Sequence, residues 1–192
     1  MHLFLGRESR ALPAISLGLT LRSEQDGGAT FQTLQILNGT SETALAWLAN
    51  DSVYYNARHM TGKETGTARV VGWSKDRGLH WNLHQDPNSP PDTPTDAVPG
   101  PLLETNGRLF LALPLGPGRS NIAVHASDTG GLSWPLSTRS LDAGYGGYSG
   151  LAALPGGEDV GLVYEADAVE GMECKGPCSI AFQRVPFGLR AL

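Results

Sequence analysis

The chain has no long apolar run. None approaches the roughly 18 residues that a membrane-crossing helix needs, so no transmembrane segment is expected. Lysine and arginine never cluster in a run, and 14 of them against 19 acidic residues leave a net charge of −5. That balance argues against a nucleic-acid partner, which would need a basic face. An anionic ligand could still be held by a local group of arginines. No 3.6-residue apolar period persists, which removes a helical core. Cysteine is scarce: only Cys174 and Cys178, in ECKGPC, are present. Their spacing suits a local disulfide or two free thiols in a surface loop, and no further Cys or His pair completes a zinc set. No metal and no cofactor is expected.

Glycine and proline are plentiful, 25 and 13 residues spread along 192. With 40% hydrophobic and 17% charged residues, the chain can build a core from many short strands separated by turns. The opening MHLFLGRESR has too short an apolar stretch for a secretory signal and is expected to form a strand. Asn38-Gly39-Thr40 and Asn50-Asp51-Ser52 are N-glycosylation sequons of a kind common by chance.

The chain repeats itself. DGGATF, SKDRGLHW and SDTGGLSW share one pattern, and their closing aromatics Phe31, Trp81 and Trp134 lie 50 and 53 residues apart. That period fits a propeller blade of four strands. Before each repeat runs a strand: AISLGLTLRS, TARVVGWS and NIAVHAS. After each comes a polar loop, then a hairpin: ALAWLANDSVYYNAR, PLLETNGRLFLALPL and GLAALPGGEDVGLVYEA. Their turns AND, ETNG and PGGED carry residues that tolerate positive φ. SIAFQRV closes the series. The expected fold is all-β, a partial six-bladed β-propeller with about three to four blades of four-stranded antiparallel sheet. The blades divide roughly at 1–58, 59–113 and 114–192.

In the repeated turn, Ser74, Asp76, Gly78 and Trp81 fit S-x-D-x-G-x-x-W. Short polar groups bond to backbone, Gly permits positive φ, and Trp packs on the sheet. The first copy has an extra residue between Ser23 and Asp26 and ends in Phe31; the third has Thr129 where the aspartate belongs. The role expected of these turns is structural.

Aligning the strands that open two hairpins sets ETALAWL over YSGLAAL, so Glu42 and Tyr148 occupy the same place at the head of an innermost strand. Such heads converge around a propeller's axis. SETALAWLANDSVYYNAR resembles the segment of exo-α-sialidases that begins with a catalytic Glu and ends in N-x-R. GYSGLAAL followed by LVYEA resembles that family's Tyr-Ser-x-Leu and Leu-Tyr-Glu elements. RSNIAVHASDTGGLSW resembles the strand that brings in its third arginine, followed by an Asp box.

The resemblance implies retaining hydrolysis of terminal sialic acids from glycoproteins, glycolipids and oligosaccharides. It implies Tyr148 as nucleophile, Glu42 as its general base, Arg58 and Arg119 as clamps on the substrate carboxylate, and Glu165 as the group that orients the family's first arginine. Sialylated glycans are the implied partners, and the compartment stays open among secreted, lysosomal and membrane-associated. Sialic acid carries a carboxylate on its anomeric carbon, so an attacking carboxylate would meet like charge, whereas a neutral phenol would not. Guanidinium forks grip carboxylates and keep their charge.

Each of these residues also has a plain structural reading: a buried tyrosine, a surface ion pair, a solvated strand end. Tyr145 is a competing phenol. Arg7 lacks suitable neighbours. The family's arginine before Ile-Pro and its early acid/base Asp find no match here, so the chain is expected to represent the C-terminal part of such a protein. Little or no hydrolase activity is expected from it alone, since missing general-acid help costs about 10²–10⁴-fold. The alternative is a non-catalytic sialoglycan-binding or scaffold propeller.

Overall fold

The computed structural model describes residues 3–7, 18–23, 29–30, 32–38, 40–59, 69–85, 98–116, 119–156, 159–166 and 179–187. The sequence elements at Asp26, Phe31, Gly39, Cys174 and Cys178 lie outside the described residues. Those described form antiparallel strands and turns, with no helix long and apolar enough to cross a membrane among them. They divide into two compact units, Met1–Pro87 and Asn88–Leu192.

The first unit holds two sheets. β1 (Leu3–Arg7), β2 (Gly18–Ser23) and β3 (Gln32–Asn38) form one; β4 (Thr40–Trp47), β5 (Val53–His59), β6 (Arg69–Ser74) and β7 (Asn82–Gln85) form the other, in sequence order. The second unit orders β8 (Leu102–Thr105), β9 (Arg108–Pro114), β10 (Ser120–Ser127), β11 (Leu136–Ala153), β12 (Asp159–Ala166) and β13 (Ser179–Pro186) side by side. β11 belongs to two sheets: its first part pairs with β10 and its second with β12. Strand pairing continues across residues 58 and 59 and across 113 and 114.

Two readings need correction. The segments after the repeats begin as strands rather than as polar loops: QTLQILN, NLHQ and the start of β11 pair with β2, β6 and β10, and residues 86–97 lie outside the described residues. As the last strand of its sheet, each can be rich in polar residues without losing its backbone bonds. Tyr148 also does not stand at the head of its strand, because β11 runs for 18 residues through it.

Hairpin chemistry follows the residues. Asn106 (φ 54°) and Gly107 (φ 77°) make the two-residue turn between β8 and β9, and Asp51 (φ 66°) turns β4 into β5. Both have the left-handed backbone that such tight turns demand. In the repeated turn, Ser74 Oγ accepts from Gly78 N at 2.7 Å and donates to Asp76 Oδ1 at 2.8 Å. Asp76 Oδ1 also accepts from His80 N at 2.9 Å, and Trp81 Nε1 donates to the Gly78 carbonyl at 2.9 Å. The bonds from the His80 backbone, then from its ring and from Ser74, hold the Asp76 carboxyl below the usual carboxylate range. Thr129 reproduces the arrangement without charge. Gly131 N donates to Ser127 Oγ, and Ser133 N donates to Thr129 Oγ1, both at 2.9 Å. Backbone shape repeats as well, with positive φ at Arg77 and Gly78 and again at Gly130 and Gly131.

The core of the second unit lies between Phe110, Ala112, Ile122 and Val124 of β9 and β10 and Val160, Leu162, Tyr164 and Val185 of β12 and β13. Alternation along each strand supplies these faces. In the first unit Tyr55, Ala57 and Val70 pack with Leu45 and Trp81.

Candidate functional site

Glu42 sits where the β4–β5 ladder slips. Thr40 faces His59 and Thr43 faces Ala57, so Ser41 and Glu42 together oppose one residue, Arg58. This is a β-bulge, a device that re-aims a side chain out of the pleat. Glu42 Oε2 accepts from Arg58 Nη1 at 3.2 Å, and both side chains stay partly open to solvent.

Arg69, the first residue of β6, stands opposite Arg58 in register and is fully buried. Its Nε donates to Asn56 Oδ1, and Asn56 Nδ2 donates to Tyr54 Oη at 3.1 Å. Burial pulls the Arg69 pKa down to about 10, against the opposing pull of the Tyr54 and Tyr55 hydroxyls; Arg58 adds to the lowering and Glu42 resists it. Arg69 therefore remains a cation at neutral pH, so the Glu42 carboxylate lies in the field of two guanidinium groups. The sequence reading passed over Arg69. The available signal was a charge opening the otherwise apolar run RVVGWS.

The second unit repeats the device. Gly146 faces Ala166 and Ser149 faces Tyr164, so Gly147 and Tyr148 together oppose Glu165. The Tyr148 N–H donates to Glu165 Oε2 at 3.1 Å. Its ring is 42% exposed. The Arg119 guanidinium carbon lies 5.3 Å from the centre of that ring, within cation–π range. Arg119 enters β10 with φ 61°, Asn121 follows at 65°, and the Arg119 carbonyl accepts from Gly146 N at 2.7 Å. Burial works against the Arg119 charge, but hydrogen bonding to the Tyr145 hydroxyl, the charge interaction with it and the contacts with Tyr148 outweigh burial and raise its pKa.

Two glycines precede Tyr148 for reasons of space. Neither has a positive φ. A Cβ on Gly146 would fall 2.6 Å from Ile122 Cβ, and one on Gly147 would fall 2.7 Å from the Tyr145 hydroxyl and press on the Glu165 carboxylate. Gly147→Ala is expected to destabilise the fold by roughly 1–3 kcal/mol through this overpacking, measured by urea denaturation. Unchanged stability would contradict the packing described.

The structure thus brings Glu42 and Arg58 together in the first unit, and Arg119, Tyr148 and Glu165 in the second with Tyr145 beside them. Glu42 and Tyr148 hold equivalent bulge positions, each on the first strand of a hairpin and each facing a charged residue on the second. The described contact of Glu165 is to Tyr148 itself, not to an arginine. Among the described residues no group of three or more His, Cys, Asp or Glu could hold a metal.

No protein-family model matches the chain, and no curated protein sequence matches it. Solved structures do. A protein of unknown function from Dyadobacter fermentans DSM 18053 has a TM-score of 0.63 at 16% identity, over 88% of this chain and 48% of its own. The α-L-arabinanase of Penicillium chrysogenum, solved with arabinobiose, has a TM-score of 0.63 at 12% identity, over 96% and 60%. The NanB sialidase of Streptococcus pneumoniae has a TM-score of 0.54 at 18% identity, over 78% and 24%. These likenesses are of fold alone: the chain is all-β, a partial β-propeller. It spans 48% and 60% of the first two of these structures.

Proposed function

We propose that the chain carries part of an exo-α-sialidase site. Arg58 and Arg119 grip the carboxylate of a terminal sialic acid, each such charge-assisted contact contributing roughly 1.5–3 kcal/mol. The Tyr148 oxygen attacks the anomeric carbon while Glu42 accepts the phenolic proton, and the bond to the leaving oxygen breaks. Water then displaces tyrosine from the sialosyl intermediate; Glu42 returns the proton it took to the departing phenol oxygen, and the proton that water loses passes to solvent, so two inversions leave net retention. No residue of this chain is matched to the acid that protonates an ordinary leaving group.

The observation that carries this reading is the pair of matching bulges. One presents a carboxylate beside an arginine, and the other a solvent-facing phenol under an arginine. Such a set suits an anionic sugar that must be attacked by a neutral nucleophile. A sialosyl fluoride tests it, because fluoride departs without a proton. The full chain is expected to release fluoride above the spontaneous rate and to form the retained anomer first, seen by NMR. Binding of sialic acid without fluoride release would favour a glycan-binding propeller, and neither binding nor release would overturn the proposal.

A further inference from the structure

We infer that Tyr145, outside the proposed catalytic set, is the positioning residue that holds Arg119 in its carboxylate-binding pose; this rests on the clamp reading above. Arg119 adopts a left-handed backbone at φ 61°, two residues before Asn121 at 65°. Each such non-glycine conformation is strained and persists only where its surroundings over-determine it.

Tyr145 is well placed to do so. Its backbone pairs with Ser120, the residue between the two strained ones. The next residue, Gly146, bonds to the Arg119 carbonyl. Among the influences that favour the Arg119 charge the Tyr145 hydroxyl leads, with Tyr148 behind it. One phenol thus engages the arginine at its side chain while its own strand engages the arginine's backbone. The bare backbone of Gly147 leaves the room this phenol occupies, since a Cβ there would lie 2.7 Å from both Tyr145 Oη and Cε1. The two phenols then divide the work. Tyr145 is half-buried and the stronger influence on the Arg119 charge, whereas Tyr148 is exposed and adds a weaker one beside its ring contact.

The test uses the full chain and two probes: an unsaturated sialic-acid analogue with a planar anomeric carbon, and its methyl ester, each titrated by NMR. The wild-type chain should prefer the acid. Tyr145→Phe, which keeps ring and volume, should weaken the acid by about 10-fold, as loss of one hydrogen bond to a charged group implies, and leave the ester unchanged. In an Arg119→Met background the same change should have no further effect, because the group that Tyr145 positions is gone. Equal loss for acid and ester would reduce Tyr145 to a packing residue and overturn the inference. So would wild-type affinities, or an undiminished effect in the Arg119→Met background. If the wild-type chain shows no preference for the acid, the clamp reading itself fails and takes this inference with it. Loss of fluoride release in Tyr145→Phe but not in Tyr148→Phe would make Tyr145 the nucleophile and overturn it as well.

Discussion

Tyr148→Phe is expected to lower fluoride release from a sialosyl fluoride by at least about 10³-fold while leaving affinity for the unsaturated analogue within a few-fold. The substitution removes the phenolic oxygen and, with it, the weaker of the two phenol contacts that favour the Arg119 charge. The phenyl ring still lies under the Arg119 guanidinium, and the backbone N–H at 148 still donates to Glu165. Binding through the clamp therefore survives, and the nucleophile is lost. This split separates a chemical role from a structural one. A tyrosine needed for packing would lose affinity and stability together, whereas a bystander would lose neither. Retained fluoride release in Tyr148→Phe would show that another group attacks.

The second large effect concerns stability. His125 lies on β10, opposite Leu111 and Ser137. It is 1% exposed, and neither ring nitrogen has a hydrogen-bond partner among the described residues. Burial pushes its pKa down to about 4, below the ~6.5 of an unfolded histidine. The unfolded chain therefore takes up a proton below about pH 6.5 that the native chain refuses until about pH 4. Stability is fully present above pH 6.5 and falls as pH drops through that window, by roughly 3 kcal/mol in all. Urea midpoints across the range should show this slope. His125→Leu should flatten it and be no less stable at pH 7, since a buried polar ring without a partner is replaced by an apolar side chain. An unchanged slope in His125→Leu would assign the acid sensitivity elsewhere.

Much of the architecture was legible because it is local. The turn AND needs a left-handed residue and has it at Asp51; TNG has Asn106 and Gly107. The S-x-D-x-G-x-x-W spacing encodes its own hydrogen bonds, and Thr129 replaces aspartate because the bond to Ser133 N needs an acceptor, not a charge. What was not legible depends on partners distant in sequence. The outer strands QTLQILN and NLHQ read as loops, because half of an edge strand's residues are polar. The alignment of Glu42 with Tyr148 was visible, but the bulges that set both apart were not. A bulge exists only in the count of residues between two ladders, here Thr40 to Thr43 against Ala57 to His59, and Gly146 to Ser149 against Tyr164 to Ala166. Arg69 and His125 escaped notice because each stands in a strand whose other residues are mostly apolar, with nothing local to mark it. The glycines before Tyr148 were visible, yet their reasons, Ile122 for Gly146 and the Tyr145 ring with the Glu165 carboxylate for Gly147, lie in packing that no local pattern marks.

The central claim is that the oxygen of Tyr148 forms a bond to the sugar. A sialosyl fluoride with a second fluorine beside the anomeric carbon tests it most directly. That fluorine destabilises the cationic transition state of both steps, while fluoride remains a good leaving group, so the sialosyl–enzyme bond forms and lingers. Peptide mass spectrometry of the labelled chain should find the fluorosialosyl mass on Tyr148 and lose it in Tyr148→Phe. A label on Tyr145 or Glu42, or no label from a chain that binds the unsaturated analogue, would contradict the account.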